Sequence, residues 1–162
     1  DKAVFTQPQI RERMTPMMPP DMAEQIDTPE KLAQATLSHD DSISFFKTPS
    51  DWGAWSKAAG VSLDVSHGPR FSQADHALDA AMAGAGVVLG RVSLATRALD
   101  GGRVVAPFEV GLLSEAQFRF ICPMGNEKRP HIAAFEAWVE KEIQSSHKYE
   151  EGRRLVNAID LV

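Results

Sequence analysis

Few residues in this sequence have the types and spacing that chemistry requires. His39-Asp40-Asp41 sets three potential metal ligands in a row, but no second ligand cluster accompanies them to complete a coordination shell. The triplet reads as a strand end running into a polar loop. His76 and Asp79 stand three apart, a spacing that puts both on one helix face. A catalytic His–Asp pair also needs a nucleophile, and the sequence singles none out, so the two read as a solvated face or a subunit contact. Cys122 is the single cysteine, which excludes a disulfide framework and a cysteine zinc site; a buried strand thiol is the reading. Gly84, Gly86 and Gly90 follow a helix, whereas a dinucleotide fingerprint follows a strand and opens a helix. No catalytic residue, metal ligand or cofactor motif is assigned, and the chain does not read as an enzyme.

Binding chemistry of another kind lies at Arg70–Val92. Ser72 reads as a helix N-cap, with Asp75 three residues on to favour the exposed amides of the first turn. Ala74, Ala77, Leu78, Ala81 and Met82 recur as one apolar stripe. Gly84 is placed to stop the helix in a left-handed turn, and Val87-Val88-Leu89 follows as a buried strand. A helix start of this kind offers free backbone N–H groups to an anion or a carboxylate.

The elements that would position this helix alternate along the chain. Asp1–Pro20 carries Pro8, Pro16, Pro19 and Pro20, so a first short strand from Val4 should give way to loop. Its methionines Met14, Met17 and Met18 are candidates for lining a binding site, but gap-filling or plain exposure is the preferred reading. Thr28-Pro29-Glu30 starts a short helix with Leu32 and Ala33 as anchors, and Thr36–His39 is a brief strand. Ser50 or Asp51 caps a helix ending at Gly60, with Trp52 and Trp55 as packing anchors. A short helix over Arg91–Ala98 leads to the Asp100-Gly101-Gly102 turn. Val104–Ala106 is then a strand broken by Pro107, and Glu115–Pro123 contains another, Phe118-Arg119-Phe120-Ile121. Residues from Ile132 to Ile143 make a long amphipathic helix. The tail from His147 to Val162 has no firm reading. Alternating strands and helices indicate an open α/β sheet.

The chain has 162 residues, 43% hydrophobic and 24% charged, with a net charge of −5. That balance fits a folded domain and argues against a grip on a phosphate backbone, which needs a basic face. No stretch approaches the run of about 20 apolar residues that crosses a bilayer. The opening residues show no signal-peptide core, so a cytoplasmic location with no membrane partner is expected.

Beyond these readings, the sequence resembles the effector-binding (substrate-binding) domain of LysR-type transcriptional regulators, in the branch of glycine-cleavage and β-lactamase regulators. The resemblance is carried by Asp51-Trp52-Gly53-Ala54-Trp55 with Ala58–Val61, by Phe71–Asp75, by Ala80–Val87, by Leu99–Phe108 and by Phe135–Val139. It implies an α/β, type 2 periplasmic-binding-protein-like fold: two Rossmann-like lobes joined by a hinge and closing on a small molecule. Residues 1–107 would be lobe II, 108–146 the return strand and C-terminal helix of lobe I, and 147–162 a tail. The helix-turn-helix and the opening of lobe I would precede Asp1. No cofactor is implied. By position, Ser72, Gln73 and Ala74 would present donors to the effector and Phe118 would flank it near the hinge. The effector would be a small, anionic metabolite of the amino-acid or organic-acid class. The resemblance further implies a homodimer or homotetramer, with the outward side of Ala74–Ala83 and the Val87–Leu89 strand at the interface, and DNA contact only through the N-terminal domain. The rest of lobe I being elsewhere, the Phe118–Cys122 strand and the Trp138 helix should expose apolar surface. A solute-binding protein of a transport system is the alternative, on the same fold.

Overall fold

A computed structural model describes residues 4–44 and 47–162. One six-stranded mixed sheet organises them. Its strands are β1 (Val4–Met17), β2 (Leu37–Asp40), β3 (Arg70–Phe71), β4 (Val87–Arg91), β5 (Val110–Pro123) and β6 (Arg154–Asn157), in the order β3-β2-β4-β1-β5-β6. β3, β2 and β4 run parallel, β1 is antiparallel to both β4 and β5, and β6 is parallel to β5.

β1 corrects the expectation of a short strand followed by loop: it runs for 14 residues. β5 explains how, pairing with it from Val4↔Pro123 to Met14↔Leu112, with register shifts between Pro8 and Ile10 and between Arg11 and Arg13. Such irregularities let a strand pass a residue that has no amide hydrogen to give. β4 pairs only with Met14–Met17 and β6 only with Val110–Leu113. The remainder, Val4–Arg11 against Gln117–Pro123, is therefore a two-stranded ribbon projecting from the main sheet.

Residues of β1 and β4 alternate between two cores, one on each face of the sheet. Met14, Met18, Val87 and Leu89 join Trp52, Trp55, Leu37, Phe108 and Leu112 on one face. Met17 and Val88 join Ala77, Leu78, Ala81, Val92, Ala95 and Val104 on the other. The three methionines are thus gap-fillers, and none is exposed. α2 (Trp52–Ala59) supplies the first core. Its N-cap is Asp51, whose carboxylate accepts from the Ala54 amide at 2.9 Å, and Gly60 at φ 73° ends it. Trp52 Nε1–H donates to the Ser38 carbonyl at 2.9 Å and Trp55 Nε1–H to the Val110 carbonyl at 3.0 Å, which meets the polar need of each buried indole. Both tryptophans are the packing anchors expected of them.

α3 (Ala74–Met82) and α4 (Val92–Asp100) cover the second core. α3 starts one residue later than expected. Gln73, not Ser72, flanks its first turn, and neither side chain caps it. Ser72 lies just beyond β3, whose pairing with His39 and Asp40 holds the preceding backbone extended. The other end is as expected. Gly84 adopts φ 79°, with Gly84 N–H on Ala81 O and Ala85 N–H on Ala80 O, the double bond of a Schellman stop.

Shorter segments also depart from expectation. α1 (Pro20–Gln25), a turn and a half, starts at the last residue of the stretch expected to be loop and was not itself expected. Pro29–Gln34 is a 3₁₀ helix, anchored by buried Leu32, and the Thr28 side chain makes no cap bond. Val104–Ala106 is no strand but a single bridge between Val105 and Met18. β5 is longer than Glu115–Pro123 because its first residues pair with β1 and β6.

α5 (Pro130–Gln144) lies on the ribbon and buries none of its residues fully. Phe5, Phe120, Phe135 and Trp138 form a chain of rings 5.8–6.4 Å apart. Phe118, Ile121, Phe135 and Trp138 are each more than half exposed, whereas Cys122 is buried.

The tail, unread from the sequence, is tied into the main sheet. β6 extends it beside β5, Arg153 donates to the carbonyls of Ala106 and Phe108, and Arg154 donates to that of Ala58. Buried Arg13 of β1 reaches Glu150 and Ser146. No described helix is long and apolar enough to cross a membrane.

Candidate functional site

β2 leads through α2 to β3 on one side, and β3 leads through α3 back across to β4 on the other. The chain thus leaves the neighbouring parallel strands β2 and β4 in opposite directions. Crevices at the carboxyl ends of such strands are where open α/β sheets bind ligands, because loops diverge there and leave a gap. Asp40 ends β2 and Arg91 ends β4.

These two side chains bridge the gap. Arg91 Nε–H donates to Asp40 Oδ2 at 2.9 Å, and Arg91 Nη2 reaches Ser42 Oγ. The second oxygen of Asp40 accepts from Ser42 N–H at 2.9 Å and Ser42 O–H at 2.5 Å. The Asp40 side chain is 4% exposed and that of Arg91 14%, so the pair is shielded from water on most sides. Next to it, Arg70 of β3 makes a two-pronged contact with Asp41, Nε–H to Oδ2 at 2.9 Å and Nη2–H to Oδ1 at 2.5 Å. Asp41 holds the guanidinium pKa above its ordinary value by that hydrogen bonding and by its charge, with a further contribution from the charge of Asp51.

A cavity of about 250 Å³ opens beside the two pairs. His39, Asp40, Asp41 and Arg70 form its polar wall; Met14, Trp52 and Leu89 form its apolar floor; Ser44 lies in the turn after β2, and Ser50 and Asp51 stand at the start of α2. Apolar surface with a few convergent polar groups is the usual make-up of a small-molecule site. A depression of about 10 Å³ shares Asp40 and Leu89 with the cavity and adds Ala74, Arg91 and Leu94.

His39, Asp40 and Asp41, weighed above as metal ligands, are each committed to protein partners. His39 Nε2 meets the His67 carbonyl at 2.9 Å, which as an acceptor assigns the ring proton to that nitrogen. Glu12 of β1, buried, accepts from Ser93 N–H at 3.3 Å and from Ser93 O–H, in the first turn of α4. The amide end of that helix is therefore occupied by a carboxylate of the protein itself.

Of the residues expected to bind an effector, Ala74 lines the depression beside Asp40 and Arg91. Ser72 and Gln73 are exposed just ahead of α3 and line neither cavity. Phe118 lies on the ribbon opposite Ile10, half exposed, and also lines neither. His76 and Asp79 are exposed on α3, as a solvated face requires. Arg91 and Arg70 were not singled out for binding by the sequence, and Asp40 was weighed only as a metal ligand. Two charged residues just past strand ends were the available signal, but 51 positions separate Asp40 from Arg91.

Comparison with known proteins agrees with this architecture. The family model described as the LysR substrate binding domain matches residues 1–144. The glycine cleavage system transcriptional activator of Escherichia coli is 35% identical over 115 residues, covering 70% of this chain and 36% of that protein. The HTH-type transcriptional regulator DsdC of the same species is 30% identical over 139 residues, covering 83% and 45%. The chain thus spans between about a third and a half of these relatives' length. Among solved structures, the effector domain of AmpR from Pseudomonas aeruginosa superposes with a TM-score of 0.66 at 20% identity, covering 90% of this chain and 68% of that one. The AmpR effector binding domain from Citrobacter freundii gives 0.62 at 22% identity, covering 88% and 68%.

Proposed function

Because this chain belongs to the family of LysR substrate binding domains, with their type 2 periplasmic-binding-protein-like fold, we propose that it senses a small effector in the crevice bridged by Asp40 and Arg91. The observation that carries this reading is the 250 Å³ cavity at the diverging ends of β2 and β4, with the carboxylate of a buried ion pair in its wall. A ligand that touches Asp40, Arg70 or Arg91 acts on three strands at once, which is what a sensor needs in order to transmit binding. The relatives named above are transcriptional regulators, which leaves the transport alternative without support.

Around this core the further parts of the proposal are as follows. Residues 1–107 form lobe II, 108–146 the return strand and C-terminal helix of lobe I, and 147–162 a tail, with the paired β1 and β5 running between the lobes as the hinge. Ser72, Gln73 and Ala74 face the effector from the start of α3, and Phe118 approaches it from the hinge side when the lobes close. The effector belongs to the amino-acid or organic-acid class. The intact protein is a cytoplasmic homodimer or homotetramer that contacts DNA through a separate helix-turn-helix domain and has no catalytic role.

Ser44 stands exposed at the mouth of the cavity, which makes it the place to test the reading. Ser44→Trp should block effector binding, measured by calorimetry against a panel of small amino and organic acids, while leaving the unfolding midpoint near that of the parent. Effector binding undiminished in Ser44→Trp would place the site elsewhere.

A further inference from the structure

The charges of the crevice define its ligand more narrowly than the fold does. The cavity is lined by three carboxylates, Asp40, Asp41 and Asp51, and by one guanidinium, Arg70. Arg91 adds a second cation through its contact with Asp40. Both cations are already engaged, each by two nitrogens: Arg91 on Asp40 and Ser42, Arg70 on both oxygens of Asp41. Each guanidinium has N–H donors to spare, but its charge is already matched by a carboxylate of the protein.

The helix ends are engaged too. Asp51 sits on the first turn of α2 and Glu12 on that of α4. The start of α3 is engaged as well, Asp75 accepting the His76 amide at 3.0 Å in its first turn, so all three helix starts near the crevice, which would otherwise draw an anion, carry a carboxylate of the protein. Counting the cavity's own charges with Arg91, the wall is one unit negative. An effector that is only an anion would meet this excess with no unpaired positive group among the described residues lining the cavity to offset it, and an unpaired buried charge is costly.

We propose that the effector carries a protonated amine, an ammonium that docks against Asp41 and Asp51 in the 250 Å³ cavity, so that within its class it is an amino acid and not a simple carboxylate or dicarboxylate. This rests on the reading of the crevice as the effector site. It replaces the anion expected from the sequence with a zwitterion, whose carboxylate is left for the remaining N–H groups of Arg70. An ammonium gives three hydrogens to carboxylate acceptors, and such charge-assisted bonds are the strong ones.

The test is calorimetric titration of the intact protein with α-amino acids and, in parallel, with the 2-hydroxy acids, deaminated acids and dicarboxylates of matching side chain. At least one amino acid should bind about tenfold or more tightly than its deaminated counterpart, and Asp41→Asn should erase most of that preference. Asp41 is partly exposed, so its replacement should leave the fold intact, which circular dichroism checks; Asp51→Asn is a second variant that keeps a capping side chain. Deaminated acids or dicarboxylates binding as well as the amino acids, and losing affinity in Ser44→Trp, would overturn the proposal while leaving the crevice reading in place. An amine preference that survives both Asp41→Asn and Asp51→Asn overturns the docking. Binding of no member of the panel overturns the proposal and the crevice reading together.

Discussion

Arg91 and Asp40 meet at 2.9 Å across the point where β2 and β4 send the chain in opposite directions, and both side chains are largely out of water. Each ends a parallel strand, so one contact ties two strand ends and the Ser42 turn together. Desolvating both charges offsets much of their attraction, and the pair is better understood as setting the shape of the crevice than as a large source of stability.

Breaking this pair from one side should be costly. Arg91→Ala leaves the Asp40 carboxylate buried with only Ser42 as donor, and a loss of about 3 kcal/mol is expected. The double variant Asp40→Asn/Arg91→Gln, which leaves no unpaired charge, should recover a good part of it. Urea unfolding followed by tryptophan fluorescence reads both, and equal losses in the two proteins would contradict the account.

The two candidate capping residues should behave differently. Asp51 accepts the Ala54 amide and Ser72 makes no cap bond. Asp51→Ala should therefore cost about 1 kcal/mol and Ser72→Ala only a few tenths. A Ser72→Ala loss as large as that of Asp51→Ala would restore Ser72 as the cap.

Cys122 should react slowly. Burial is the main cause that raises its thiol pKa, and the charges of Glu127 and Glu136 raise it further. A thiol whose folded pKa lies above its unfolded value ionises first in the unfolded chain. Its effect on stability is therefore absent below the unfolded pKa and becomes destabilising as pH rises through and beyond it. Iodoacetamide labelling at mildly alkaline pH should run well below the rate of the urea-unfolded protein, and equal rates would show the thiolate to be formed and accessible in the fold.

Residues 1–162 alone should not bind DNA. With a net charge of −5 the chain has no excess of cations to release counterions from a phosphate backbone. A gel-shift series at low salt should leave a duplex unshifted, and tight, salt-sensitive retardation would reverse this conclusion.

What the sequence by itself determined lies within single elements, where a residue and its partner are a few positions apart. A cap at Ser50 or Asp51, the stops at Gly60 and Gly84, the paired tryptophans of α2, the buried Val87–Leu89 run and the presence of α5 are of this kind. The helical hydrogen bond closes over four residues, so its signals are local. The tertiary structure decided what depends on a distant partner. β1 persists through two prolines because β5, about a hundred residues later, supplies its ladder. Ser72 loses the cap of α3 because β3 pairs with β2 just before it. The tail becomes a strand because β5 presents an open edge to it. The site follows the same rule: Ala74, Asp40 and Arg91 come together only where three strands and a helix end at one level of the sheet, and strand pairing over long sequence separations alone sets that level.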